Sequence, residues 1–133
     1  MDDFKLDARL EKDCFEILDT KNRKILLMDN SDYLWFILVP KTNCTEFYEL
    51  NMEAQSATLV EMNKLSKVIK EDYKYNKVNI GIIGNVVSQL HVHIIGRNHN
   101  DLSWPNVVWG CSTNRRYSQK DISIIENNML KKL

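Results

Sequence analysis

The sequence predicts an α+β fold: an antiparallel sheet with a long helix and a C-terminal helix packed on it. Three observations carry this. Apolar runs of strand length come in two pairs, KILLMD with YLWFILVP and VNIGIIGN with QLHVHIIGR. Only a few residues join the members of each pair, and connections that short favour antiparallel partners. A stretch of helical periodicity separates the pairs and another closes the chain. The 133 residues suit a single domain spanning 1–133, undivided by repeats or Pro/Gly-rich linkers.

In order, LDARLEKDCFEIL (6–18) reads as a short helix running into, or replaced by, a strand around CFEIL. Residues 19–22 turn the chain. Strands follow at 24–29 and 33–40, around a turn at Asn30-Ser31-Asp32. TEFYEL is one short helical turn, and Asn51 is placed to cap the long helix. There Leu59, Met62, Leu65, Ser66, Ile69 and Tyr73 recur at spacings of three and four, forming one apolar stripe. Its acids lie early and its lysines late, which suits the helix dipole. VNIGIIGN (78–85) and QLHVHIIGR (89–97) are strands joined by Val86-Val87-Ser88, and a polar loop (98–110) comes next. Ser118, three residues before Asp121, starts the last helix, whose stripe is Ile122, Ile125 and Met129.

Composition excludes several classes. Lys plus Arg and Asp plus Glu number 18 each, so no global charge calls for nucleic acid or an anionic membrane surface. The longest apolar run, LWFILVP, is far too short to span a bilayer. Cys14, Cys44 and Cys111 are odd in number, widely spaced and without a CxxC pair, against a disulfide framework or zinc-finger-like site. Reduced thiols and an acidic N-terminus unlike a signal peptide point to the cytoplasm.

The chemistry concentrates in SQLHVHIIGR (88–97). On an extended chain Gln89, His91, His93 and Ile95 share one face, while Leu90, Val92 and Ile94 share the other. Side chains two apart lie ~7 Å from each other, so both imidazoles can address one ligand. The pair fits hydrogen-bonded core residues, or a metal site completed by His99, Asp101 or Asp29. It also fits nucleophilic catalysis. A neutral imidazole can attack phosphorus while an acceptor such as a backbone carbonyl holds its other nitrogen; His91 then attacks, with His93 and Gln89 flanking it to hold phosphate oxygens and the leaving group.

QLHVHII resembles the H-φ-H-φ-H-φ-φ signature of the histidine triad superfamily of nucleotide hydrolases and transferases, with glutamine in the first slot. The resemblance extends to WFILVPK (35–41), the long helix after it, Asn85 before the motif and Trp104-Pro105 behind it. It implies that His91 is the nucleophile of a nucleotidyl-histidine intermediate and that His93 contacts the transferred phosphate. Asn85 and Ser88 are implied substrate contacts. Asp29, or Asn30 or Asp32, is placed either to bind ribose hydroxyls or simply to make the hairpin turn. Trp104 and Trp109 either stack on a base or fill core, Trp35 packs, and Arg115-Arg116 is a solvated pair. A small-molecule nucleotide is the implied partner, such as a dinucleoside polyphosphate or nucleoside phosphoramidate. The resemblance also implies a homodimer that requires no cofactor, with a divalent metal at most assisting polyphosphate substrates.

Three departures stand out. Gln89 can donate a hydrogen bond but cannot give up a proton near neutral pH. The loop Val86-Val87-Ser88 is shorter than the family's Gly-rich phosphate loop and offers fewer N–H donors. The Cys/His zinc set of some branches is missing near the N-terminus. The expected function is a nucleotidyl hydrolase or transferase, with two alternatives: a non-catalytic nucleotide-binding protein and a metal-binding HxH site.

Overall fold

The computed structural model describes residues 3–111 and 115–133. Its sheet has five strands: β1 (Cys14–Asp19), β2 (Arg23–Met28), β3 (Leu34–Pro40), β4 (Lys77–Gly81) and β5 (Val92–Arg97). They run in the order β1-β2-β3-β5-β4. Every adjacent pair is antiparallel. Each residue of LWFILVP is buried, as a central strand covered on both faces requires. Residues 6–18 divide into helix α1 (Ala8–Asp13) and β1, capped by the Asp7 carboxylate on the Arg9 N–H.

Helix α2 (Met52–Lys67) begins at Asn51, whose side chain accepts from Ala54 N, and a π-helical turn at Val68–Asp72 extends it. Ser118 caps α3 (Gln119–Lys132) by accepting from Asp121 N. Leu65, Val68, Ile69 and Met129 from this helical layer meet Ile25, Leu27, Phe36, Leu38 and Ile94 in one core. A second cluster, Leu10, Leu26, Trp35, Ile37 and Ile95 among others, lies on the opposite face. Helix α1 therefore packs across the sheet from α2 and α3.

Two expectations change. Leu59 is about half exposed while Thr58 and Glu61 face inward. Each inward polar group has a partner: Thr58 Oγ1 donates to Ala54 O at 2.7 Å, and Glu61 pairs with Arg23 at 3.1 Å. The strands expected at 78–85 and 89–97 are shorter, and the ten residues 82–91 between them are irregular. Gly84, at φ 69°, turns this segment through the left-handed region that favours glycine. The loop before the motif is thus not curtailed to Val86-Val87-Ser88.

Candidate active site

β5 carries His93, Ile95 and Arg97 on one face, opposite the helical layer. His93 pairs with Ile37 of β3 on one side and with Gly81 of β4 on the other. His91 precedes the strand and Gln89 lies in the irregular segment, so the three motif residues do not form a row on one strand. The two imidazoles still meet, with ring centroids 4.8 Å apart, and both are buried.

Each ring is held in a defined tautomer. His91 Nδ1 lies 2.6 Å from the backbone carbonyl oxygen of Gln89. A carbonyl only accepts, so Nδ1 carries the hydrogen and neutral His91 keeps its lone pair on Nε2. Trp35 Nε1 donates to His93 Nδ1 at 3.0 Å. An indole N–H only donates, so His93 Nδ1 is the acceptor and its hydrogen sits on Nε2. Burial and then the neighbouring His91 push the His93 pKa down to about 4. That keeps the ring neutral, as an acceptor Nδ1 demands. Two adjacent imidazoles are thereby fixed in opposite tautomers, one presenting a lone pair and the other a donor.

Aromatic rings enclose His93. Trp35 and Trp109 lie edge-on to it, with centroids at 5.7 and 5.4 Å. Gly81 makes room for Trp109: a Cβ there would sit 2.7 Å from the Trp109 ring. The Trp109 indole nitrogen is buried without a partner among the described residues. Cys14 belongs to this face too, but burial foremost, with the charges of Asp13 and Asp29, raises its pKa to about 12. That thiol does not compete as a nucleophile.

Beyond His93, Arg97 ties down the loop that delivers Trp109. It is 1% exposed. Its guanidinium holds both Asp101 oxygens, at 2.8 and 3.0 Å, together with Asn79 Oδ1, Ser103 Oγ and the Asn106 carbonyl. It also lies 5.6 Å from the ring centroids of both Tyr33 and Trp104. Burial alone would raise the Asp101 carboxyl; hydrogen bonds from Arg97 and the Asn98 backbone outweigh it and hold the group ionised.

The remaining sequence candidates separate. Ser88 and Gln89 border a cavity of about 30 Å³ with His91, Thr45, Glu46 and Gly84, room for about one water. Asn85 is exposed on the same irregular segment. Trp104 belongs to the Arg97 frame rather than to the imidazole pair. Asp29 is committed elsewhere: its oxygens accept from Arg116 Nη1 and Tyr117 N, both at 2.9 Å. Asn30 makes the hairpin turn by accepting from Asp32 N. Arg115 and Arg116 pair with Asp32 and Asp29 across that turn. Asp101 is likewise occupied, and among the described residues no three His, Cys, Asp or Glu side chains converge as metal ligands. A larger cavity of about 670 Å³ lies under α2, lined by Arg23, Lys41, Glu61 and others, but it contains no histidine.

Sequence reasoning missed Arg97, left Trp109 open and read Trp35 as packing alone. Trp35 stands two residues from Ile37, the His93 partner, but only the β3–β5 register reveals that their side chains meet.

The HIT domain family model matches residues 9–100. The chain belongs to the histidine triad family. A histidine triad protein from Sinorhizobium meliloti has a similar solved structure, with a TM-score of 0.95 and 33% identity over 100% of this chain and 99% of that one. Histidine triad proteins from Bradyrhizobium japonicum (0.92, 32%, covering 97% of each chain) and Marinobacter aquaeolei (0.92, 33%, covering 98% and 96%) are alike. No curated protein matched. Membership supports a nucleotide-binding or nucleotide hydrolase/transferase role in general terms. No helix among the described residues is long and apolar enough to cross a membrane.

Proposed function

We propose that this histidine triad protein is a nucleotidyl hydrolase or transferase with His91 as its nucleophile. The substrates are nucleoside phosphate derivatives such as dinucleoside polyphosphates or nucleoside phosphoramidates. The opposed tautomers of His91 and His93 carry the reading. His91 Nε2 attacks the α-phosphorus, forming a P–N bond as the bond to the leaving group breaks. The Nδ1–H stays on the Gln89 carbonyl and stabilises the charge that develops on the ring. The neutral His93 donates Nε2–H to a phosphoryl oxygen. The leaving group departs with a proton drawn from water, since Gln89 has none to give. Water, or another nucleophile in a transferase, then attacks the same phosphorus. The P–N bond breaks, the nucleotide is released and His91 Nε2 regains its lone pair.

No side chain of this chain is assigned as a metal ligand; a divalent ion carried in with a polyphosphate substrate would supply charge neutralisation.

Trapping tests this. Incubation with a slowly hydrolysed nucleotide substrate is expected to leave a nucleotidyl adduct on His91, read by mass spectrometry. No adduct, together with equal nucleotide affinity in His91→Ala, would leave a non-catalytic binding protein instead.

The same reading includes a homodimer. β4 is an edge strand, and Ile80, Ile82 and Ile83 on it and beyond it, with Leu59 and Val60 on α2, are exposed apolar residues. A second copy covering them satisfies both the open edge and the apolar surface. Sedimentation is expected to give a dimer, and a monomer at micromolar concentration would refute it.

A further inference from the structure

Gln89 commits both ends of its side-chain amide to the N-terminal segment. Its Oε1 accepts from Asp7 N at 2.8 Å, and its Nε2 donates to Lys5 O at 2.9 Å. These groups flank Leu6, and they are the pair that one residue of a parallel neighbouring strand would bond. A primary amide offers an acceptor and a donor side by side on one carbon. The nitrogens of an imidazole diverge across the ring, so histidine in this slot would hold one of the two groups.

Among the described residues, no other hydrogen bond links residues 4–6 to anything beyond α1. Phe4 and Leu6 pack on the cluster of Leu26, Trp35, Ile37 and Ile95, the apolar part of the face that also carries His93. The backbone of Gln89, meanwhile, holds His91 Nδ1. One residue therefore joins the N-terminal segment to the nucleophile.

We infer that Gln89 is a positioning residue whose side chain fastens residues 5–7 as a strap over the histidine face and so sets ligand affinity. Its carbonyl, which any residue at 89 would supply, orients His91. The glutamine is selected for its paired donor and acceptor, and proton transfer is not its task. The kinetic consequence rests on the nucleotidyl-transfer reading above; the strap itself does not.

Hydrogen exchange of the Asp7 amide in the full-length protein tests the strap without any substrate. In Gln89→Ala its protection falls about tenfold, whereas Gln89→Glu, which keeps the acceptor for Asp7 N but sets a carboxylate oxygen against the Lys5 carbonyl, retains only part of it. With a nucleoside phosphoramidate, Gln89→Ala raises KM about tenfold while kcat stays within about threefold. Leu6→Ser loosens the strap from its other side, so its effect on KM and that of Gln89→Ala are non-additive. Unchanged Asp7 protection overturns the inference. So does a kcat collapse at constant KM, which would put the amide on the reacting atoms. Absence of turnover in the unsubstituted protein would sink the nucleotidyl-transfer reading, yet the exchange result would still decide the strap.

Discussion

The two faces of one sheet are built by the same strands and covered in opposite ways. On the helical face, Ile25, Leu27, Phe36, Leu38 and Ile94 meet α2 and α3 in a mainly apolar layer, with Thr58 and Glu61 as its inward polar groups. On the other face, the alternate residues of those strands include Trp35, His93 and Arg97, covered by α1, the N-terminal segment and the loop carrying Trp109. Regular helices cover what needs only burial. Irregular segments cover what must meet a ligand, because they can carry polar groups inward and can move. The helical face should therefore govern stability and the histidine face chemistry, with Arg97 belonging to both.

The largest effect expected is on chemistry alone. His91→Ala removes the nucleophile and should lower turnover by about four orders of magnitude, equivalent to about 5.5 kcal/mol of transition-state stabilisation. It should change unfolding free energy by no more than about 1–2 kcal/mol. Single-turnover kinetics beside urea denaturation measure both. Comparable losses in the two would end the division of labour between the faces.

Arg97→Met comes next. It leaves the Asp101 carboxylate buried beside no cation, which should destabilise the fold by about 3–5 kcal/mol. It also releases the loop that places Trp109 over Gly81, so Trp109 fluorescence should shift toward that of an exposed indole. Adding Asp101→Asn should restore part of the stability, because it removes the unpaired charge while its amide oxygen still accepts from the Ser103 and Trp104 backbone N–H groups. If the double variant stays as unstable as the single one, the ion pair is not what holds the loop.

How much of this was legible follows the same division. β3 and α3 announce themselves because their burial is apolar and periodic. α2 was legible in extent but not in orientation: Thr58 and Glu61 face inward with private partners, and a hydrophobic pattern cannot see them. Residues 82–91 are apolar enough to pass for strand, yet Gly84 and the exposed Val86 place them in a loop. His91 and His93 were readable from spacing. The partners that fix their tautomers were not, since Trp35 reaches His93 across 58 residues of sequence. The role of Gln89 depends on backbone groups 82 and 84 residues away. A motif names the reacting groups, and the groups that tune them come from register and loop geometry.

A smaller effect is expected from pH. Above about pH 7.5 His93 is neutral whether folded or unfolded and contributes nothing to the pH dependence. Between there and about pH 4, where the native ring titrates, the unfolded chain takes up a proton that the native one refuses. Stability therefore falls as pH falls, by about 3 kcal/mol at pH 4 from this residue alone. His93→Gln should flatten that part of the stability profile measured by denaturation at each pH. An unchanged slope would mean that His93 titrates alike in both states.

The smallest effect tests the frame around His93. Trp35→Phe keeps the aromatic packing on the sheet and deletes the indole donor to His93 Nδ1. The loss in stability should be about 1 kcal/mol, that of a single buried neutral hydrogen bond. The consequence for the ring is more telling than the energy. Without an N–H aimed at it, Nδ1 is free to hold the hydrogen or accept a second proton, so the Nε2–H form loses its dominance and the His93 pKa rises. Nitrogen chemical shifts of the imidazole should report both changes, and kcat should fall several-fold as fewer molecules present a donor to the phosphoryl oxygen. Should the Nε2–H tautomer persist in full in Trp35→Phe, some other group fixes the ring, and the pairing of β3 with β5 supplies packing without chemistry.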